Sequence, residues 1–215
     1  MEKKELSCID CFVTNCNHQD KEYPEFCLTT NMDEDVLNEA MELYKEDENR
    51  RSMIAAAEVE NDHYCRYTRI EEIMDYARKM GMKKLGIATC VGLISESRKL
   101  ASILRYNGFE VYGVACKVGT QKKVDIGIPE RCNGVGDNMC NPILQAKLLN
   151  EAGTDLNIVV GLCVGHDSLF YKYSDALVTT AVTKDRVTGH NPVAALYGAD
   201  FYFKKRFFAP KDEEK

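Results

Sequence analysis

Residues 85–90 read Leu85-Gly86-Ile87-Ala88-Thr89-Cys90, a short apolar run that ends in a cysteine. Two further runs of the same form end at Cys116 and at Cys163. Short apolar runs that alternate with helical patterns predict buried, parallel β-strands. Because the C-terminal ends of parallel strands meet at one edge of a sheet, we expect these cysteines to lie close together.

The order of the patterns predicts three regions. Residues 1–30 are rich in cysteine and carry too few apolar residues for a core of their own. Residues 31–82 contain three helical patterns that we expect to pack on the main domain, and the third begins at a capping box formed by Thr68 and Glu71. From residue 83 to residue 215, strands and helices alternate, which predicts an α/β class with a Rossmann-like, mainly parallel sheet and flanking helices.

The composition excludes several classes of protein. The chain of 215 residues is 45% hydrophobic and 29% charged, and its formal net charge is −6. This charge argues against nucleic acid as a partner, because a nucleic-acid-binding protein needs a basic face. No apolar stretch is long enough for a membrane span, and the charged residues 1–5 lead into no signal core, so a cytoplasmic location is expected. In a reducing compartment, the ten cysteines are expected as ligands or free thiols.

The first region holds a compact set of four cysteines, namely Cys8, Cys11, Cys16 and Cys27. The close spacing of the first two suits a turn around a metal ion, and thiolates are soft ligands that favour zinc or iron. A closed site with four protein ligands could supply the folding energy that this segment lacks. Spacing alone leaves both zinc and an iron–sulfur cluster open as cofactors.

A second candidate site lies at the edge of the predicted sheet and comprises Cys90, Cys116, Cys140 and Cys163. Cys140 is included because it directly precedes Asn141-Pro142, a signal for the start of a helix. A thiolate beside a helix N-terminus is stabilised by free N–H groups. The spacings of 26, 24 and 23 residues suit a cluster assembled from separate loops. A 4Fe–4S cluster is therefore the first prediction for this site, and a thiolate zinc site is the second.

Four more residues at the same edge are candidates for binding or catalysis. Gly92 and Gly165 follow two of the cysteines, and glycine lets the backbone approach a bound cofactor closely. His166 and Asp167 come next in the chain, and we predict that they handle protons in a reaction at this edge. As an alternative, Asp167 caps the short helix that begins there.

Several motifs occur together along the chain. They are the first cysteine set, Glu42-Leu43-Tyr44-Lys45-Glu46-Asp47, Thr68-Arg69-Ile70-Glu71-Glu72, Cys90-Val91-Gly92-Leu93, Cys116-Lys117-Val118-Gly119, Met139-Cys140-Asn141-Pro142, Cys163-Val164-Gly165-His166-Asp167-Ser168, Lys184-Asp185-Arg186 and Gly189-His190-Asn191-Pro192. This combination resembles the DUF1847 family of uncharacterised, cysteine-rich proteins of bacteria and archaea. The resemblance implies metal binding through cysteines, and it implies no established reaction.

Two functions are consistent with these patterns. In the first, a cytoplasmic iron–sulfur or zinc protein binds a small anionic or sulfur-containing molecule at the edge of the sheet. In the second, the protein is a non-catalytic module for metal binding or redox sensing, which engages a partner or a second copy through its helices and its aromatic C-terminal region. Whether the protein is an enzyme and whether it forms a homo-oligomer are left open.

Overall fold

The apolar runs form a four-stranded sheet in the structure, a computed structural model that describes residues 5–209. The strands are β1 (Lys84–Thr89), β2 (Glu110–Ala115), β3 (Leu156–Val160) and β4 (Leu177–Val182). They lie in the order β2-β1-β3-β4, and every neighbouring pair is parallel. The predicted Rossmann-like α/β class is therefore confirmed. The outer ends of the first and last predicted regions, residues 1–4 and 210–215, lie outside the described residues.

The chain divides into two compact units, Met1–Ala57 and Glu58–Lys215. The helices of the chain are, in order, α1 (Asn15–His18), α2 (Leu28–Asn31), α3 (Glu34–Leu43), α4 (Asp47–His63), α5 (Arg69–Lys79), α6 (Ile94–Tyr106), α7 (Pro142–Glu151), α8 (His166–Tyr173), α9 (Val193–Tyr197) and α10 (Lys204–Phe207). The sheet lies wholly in the second unit. Of the helices within residues 5–209, none is both long and apolar enough to cross a bilayer.

Side chains from the two faces of the sheet form two cores. On one face, Leu85 and Ile87 of β1 pack with α5 and α6. On the other face, Ala88 packs with α7 and with Phe170 of α8, which is completely buried. The alternation follows from the period of two residues in a strand. The second unit therefore has three layers, with the sheet between two pairs of helices.

The strand order places a reversal of the chain connections between β1 and β3. From β1 the chain moves outward to β2 on one side of the sheet. It then crosses over β1 and continues with β3 and β4 on the other side, so the direction of the connections reverses between β1 and β3. Ligands of open α/β sheets bind at this reversal point. The N–H of Cys90 donates to the carbonyl of Val160 across the gap at 3.1 Å. The first and third cysteine-bearing turns therefore flank the expected binding position.

Two predicted helix starts are confirmed by their caps. The Asn141 side chain accepts a hydrogen bond from the N–H of Leu144 at 3.0 Å and caps α7. Thr68 and Glu71 form the predicted capping box of α5. Because the cap fixes where α7 begins, it also fixes the position of the residue before it, Cys140.

Candidate metal and thiol site

The centre of the candidate site is a contact between two thiols. Cys116 directly follows β2 and is only 2% exposed, whereas Cys140 precedes the cap of α7 and is half-buried. The N–H of Asn141 donates to the carbonyl of Cys116 at 2.7 Å, which ties the two backbone segments together. The Sγ atoms of Cys116 and Cys140 lie 3.7 Å apart. The fold thus brings two thiols into contact although 24 residues separate them in sequence.

Cys90 lies on the other side of Cys116. It occupies the cap position of a short 3-10 helix, Val91–Leu93, and the N–H of Val91 donates to the Sγ of Cys116 at 3.3 Å. A Cβ added to Gly92 would lie 3.8 Å from the Sγ of Cys90, so this glycine passes directly over the thiol. Interaction with the Cys116 thiol, the N–H of Gly92 and the charge of Lys184 lowers the pKa of Cys90 to about 5.

Cys163 meets a guanidinium group. Arg186 follows β4, and its Nη2 donates to the Sγ of Cys163 at 3.3 Å. The thiol of Cys163 raises the pKa of Arg186, and smaller contributions come from Cys90 and Cys140. The charge of Arg186 therefore links Cys163 electrostatically to Cys90 and Cys140. We call the four cysteines at this edge of the sheet the rim cluster (Cys90, Cys116, Cys140 and Cys163).

The protons of the rim cluster are unevenly distributed. Hydrogen bonding to Cys140, then to Cys90, together with burial, raises the pKa of the Cys116 thiol. Hydrogen bonding to Cys116 and to His166 lowers the pKa of Cys140 to about 4. The same contact with Cys140 raises the pKa of His166. These shifts favour the protonated form of Cys116 and the charged forms of Cys140 and His166, a thiolate beside an imidazolium.

The glycine and the two polar residues after Cys163 lie at the start of α8. Gly165 has a φ of +84° and occupies the cap position of the helix. The N–H groups of His166 and Asp167 donate to the carbonyl of Cys163 at 2.9 and 3.1 Å. The Asp167 carboxylate accepts a hydrogen bond from the N–H of Ser168 at 2.8 Å. Thus His166 faces Cys140 and Asp167 contacts its own helix, and the catalytic role of both stays a prediction.

The first cysteine set has a looser setting. Cys8 and Cys16 are exposed, and Cys11 and Cys27 are half-buried. The N–H of Cys11 donates to the carbonyl of Cys8 at 3.2 Å, so a tight turn joins the first pair. Throughout residues 5–209, no three histidine, cysteine, aspartate or glutamate side chains are arranged to hold a metal ion. Metal binding by either cysteine set therefore stays a prediction.

Sequence reasoning gave little weight to the polar groups that surround the rim cluster. Lys184 and Arg186, which belong to the motif Lys184-Asp185-Arg186, face Cys90 and Cys163. Gln145 of α7 is completely buried, and its Nε2 donates to the carbonyls of Thr89 and Val114 at 3.1 and 2.7 Å. Its Oε1 is buried without a hydrogen-bond partner among the described residues. Lys184 and Arg186 both come shortly after β4, and side chains that follow a parallel strand lie at the edge where ligands bind. This position in the sequence could have indicated that they face the cysteines.

Comparison with known proteins agrees with the motifs. Residues 27–181 match the model of a family described as "Protein of unknown function (DUF1847)", and this range includes the whole rim cluster. An uncharacterised protein of Methanocaldococcus jannaschii, MJ0455, is 47% identical over 171 residues, which cover 80% of this chain and 88% of the relative. The resemblance seen in the sequence is therefore confirmed, and the chain belongs to the DUF1847 family.

Proposed function

We propose that this protein binds a metal centre through the rim cluster and that Cys116 and Cys140 are its first two ligands. The observation that carries the proposal is the 3.7 Å contact between their Sγ atoms beside the C-terminal ends of β1 and β2. Cys116 is buried and Cys140 is half-buried, so an ionised thiol at this contact loses part of its hydration, which costs free energy. A metal ion between them replaces this cost with two ligand bonds.

The distance between the two sulfur atoms favours a single ion. Zinc holds thiolates at about 2.3 Å in a tetrahedron, which separates neighbouring sulfurs by about 3.8 Å. The observed separation of 3.7 Å agrees with this value. In a 4Fe–4S cluster each cysteine binds a different iron, so the ligand sulfurs lie farther apart than around one ion. We therefore favour thiolate-bound zinc over the cluster at this position.

The charges around the rim cluster also suit a metal thiolate. Four thiolates and one zinc ion leave about two negative charges in excess. Arg186 donates to Cys163, Lys184 interacts with Cys90, and Lys117 and His166 interact with Cys140. These basic groups can offset the excess charge in a partly buried site. Free cysteines alone would not require so many basic neighbours.

Cys90 and Cys163 are the candidates for the remaining ligands. With all four cysteines bound, the site is closed and serves structure, or electron transfer if the metal is iron. With three cysteines bound, the metal would keep one open position and would act as a Lewis acid towards a small anionic or sulfur-containing molecule. His166 would then hold a proton beside that molecule, and Arg186 would orient it by charge.

The first cysteine set is proposed as a separate, structural site. Cys8, Cys11, Cys16 and Cys27 have the spacing of a closed thiolate site, and the turn between the first two is present. Their partial exposure leaves the sulfur atoms accessible to a metal ion. The proposal therefore assigns a metal to each cysteine set, and the two sites can be tested apart.

The test is metal and sulfide analysis of protein purified without oxygen. In the Cys116→Ser/Cys140→Ser variant, we expect the loss of about one equivalent of zinc per chain relative to the wild type. The matched control is Cys65→Ser/Cys132→Ser, which removes two thiols outside both sets and should keep the wild-type metal content.

Three results would overturn part or all of this proposal. Equal metal content in the Cys116→Ser/Cys140→Ser variant and the control would show that the rim cluster binds no metal. Iron with acid-labile sulfide in place of zinc would keep the site and reject the argument from the sulfur distance. Loss of zinc from the control alone, with the wild-type content kept in the Cys116→Ser/Cys140→Ser variant, would place the metal outside the rim cluster.

A further inference from the structure

We infer that Cys140 is a site of oxidation by hydroperoxides and that Cys116 resolves the oxidised form by closing a disulfide. The product is a Cys116–Cys140 disulfide inside the rim cluster. The pair is defined by contact and by unequal exposure, two features that a metal site alone does not require.

The geometry allows the disulfide with little movement. The two Sγ atoms are 3.7 Å apart, and a disulfide brings them to about 2.05 Å. The hydrogen bond from the N–H of Asn141 to the carbonyl of Cys116, at 2.7 Å, holds the two backbone segments next to each other. The remaining approach is within the range of side-chain rotation.

The exposure of the two thiols assigns their roles. Cys140 is half-buried and can be reached from solvent, whereas Cys116 is 2% exposed. A small oxidant therefore meets Cys140 first. Cys116 is the thiol already in contact with Cys140, so it is placed to react with the oxidised sulfur. Cys90 is 8% exposed and is a poorer first target for the same reason.

The chemistry balances with a hydroperoxide as the oxidant. In the first step, the thiol of Cys140 attacks the peroxide, the O–O bond breaks, and a sulfenic acid and one water molecule (with hydrogen peroxide) form. In the second step, the thiol of Cys116 attacks that sulfur, the S–O bond breaks, and a second water molecule leaves. Two thiols lose two electrons in total, the peroxide gains them, and both thiol protons end in water.

The consequence for the metal rests on the proposed function, whereas the chemical step does not. A disulfide removes two of the proposed ligands at once, so oxidation would release the metal from the rim cluster. Reduction of the disulfide would restore the pair. The rim cluster would then respond to peroxide by exchanging a metal ion for a disulfide.

The test is peptide mapping of the full chain after chelation and treatment with hydrogen peroxide, without reduction. Cys132 shares the tryptic peptide 132–147 with Cys140, so the mapping is done in the Cys132→Ser variant. We expect peptide 132–147 to be linked to peptide 106–117, which contains Cys116 as its one cysteine. Thiol titration should show the loss of two thiols at this step. A link from Cys116 to Cys90, or a free Cys140, would overturn the inference.

A second variant separates the roles of the two thiols. In Cys116→Ser, the sulfenic acid on Cys140 has no resolving thiol, so labelling of Cys140 by dimedone should rise at least about tenfold over the parent. Unchanged labelling would overturn the assignment of Cys116 as the resolving thiol. Both measurements use chelated protein, so they test the disulfide independently of the metal analysis. Either proposal can be supported while the other is contradicted.

Discussion

The rim cluster and the first cysteine set use the same side chain in opposite settings. The thiols of the rim cluster lie on turns fixed by a buried sheet and by a capped helix, and two of the four are buried. The first cysteine set lies among the short helices α1 and α2, which have no side-chain caps, and two of its thiols are exposed. The difference teaches that, if both sets bind metal as proposed, the sheet would position the thiols of the rim cluster without the metal, whereas the short segment would depend on the metal for its order.

The largest expected effect is on the first cysteine set. Removal of metal by a strong chelator should abolish protection of residues 5–27 against limited proteolysis, because metal binding supplies the folding energy of such segments, about 10–16 kcal/mol in zinc peptides. The sheet, residues 84–182, should stay protected, since its core does not depend on metal. Mass spectrometry of the fragments measures both. Early cleavage within the sheet would contradict the comparison.

The next effect concerns the reactivity of Cys140 with iodoacetamide in protein from which a chelator has removed the metal. Between pH 8 and pH 6, an ordinary thiol loses about 100-fold in rate, because its pKa is about 8.5 and only the thiolate reacts. The pKa of Cys140 is lowered to about 4, so its thiolate persists through this range and its rate should change less than about twofold. The control is the same residue in urea, where it should show the ordinary profile. A hundredfold fall in the folded protein would refute the thiolate assignment.

A glycine at the end of β3 tests how rigid the rim is. Gly161 has a φ of +60°, and an added Cβ would lie 2.1 Å from the Cδ1 of Leu93. Gly161→Ala should therefore lower the free energy of unfolding by about 2–4 kcal/mol, from strain and overpacking together.

The matched control is Gly127→Ala. Gly127 has a φ of +81° and open space around its missing Cβ, so the alanine should cost only about 1 kcal/mol. Urea denaturation gives both free energies. Equal costs would show that the rim tolerates repacking and is less rigid than the sheet beneath it.

The smallest expected effect comes from the cap beside Cys140. Asn141→Ala removes the hydrogen bond to the N–H of Leu144 and should cost about 1 kcal/mol of stability. In the first unit, Thr30→Ala removes an exposed hydrogen bond to the carbonyl of Cys27 and should cost less than about 0.5 kcal/mol. Thermal unfolding of both variants tests the difference. An equal loss of stability would show that the hydrogen bonds beside the two cysteine sets contribute equally, which would contradict the comparison.

The parts of the fold with a short-range cause could be predicted from sequence. The apolar runs predicted the strands, since each run fits the length and burial of a parallel strand. Asn141-Pro142 predicted the start of α7, and Thr68 with Glu71 predicted the start of α5, because a cap depends on neighbouring residues. The proximity of Cys90 and Cys116 could be predicted because the C-terminal ends of parallel strands share one edge of the sheet.

The parts that depend on side-chain direction could not be predicted. The sequence does not show that Arg186 turns towards Cys163, because a charge after a strand can equally face solvent. Gln145 gave no signal, since its partners are backbone carbonyls at the ends of β1 and β2. Strand β3 ends at Val160, although the apolar run continues to Cys163, because Gly161 adopts a positive φ. Tertiary packing determines each of these features.

The most direct measurement is X-ray absorption at the zinc edge of the Cys8→Ser/Cys11→Ser/Cys16→Ser/Cys27→Ser variant, purified without oxygen. The variant lacks the first cysteine set, so any bound metal reports on the rim cluster. We predict about one zinc per chain with a sulfur shell at about 2.3 Å. A variant that holds no metal, or one whose metal has only nitrogen and oxygen neighbours, would contradict the claim that the sheet positions its thiols as ligands.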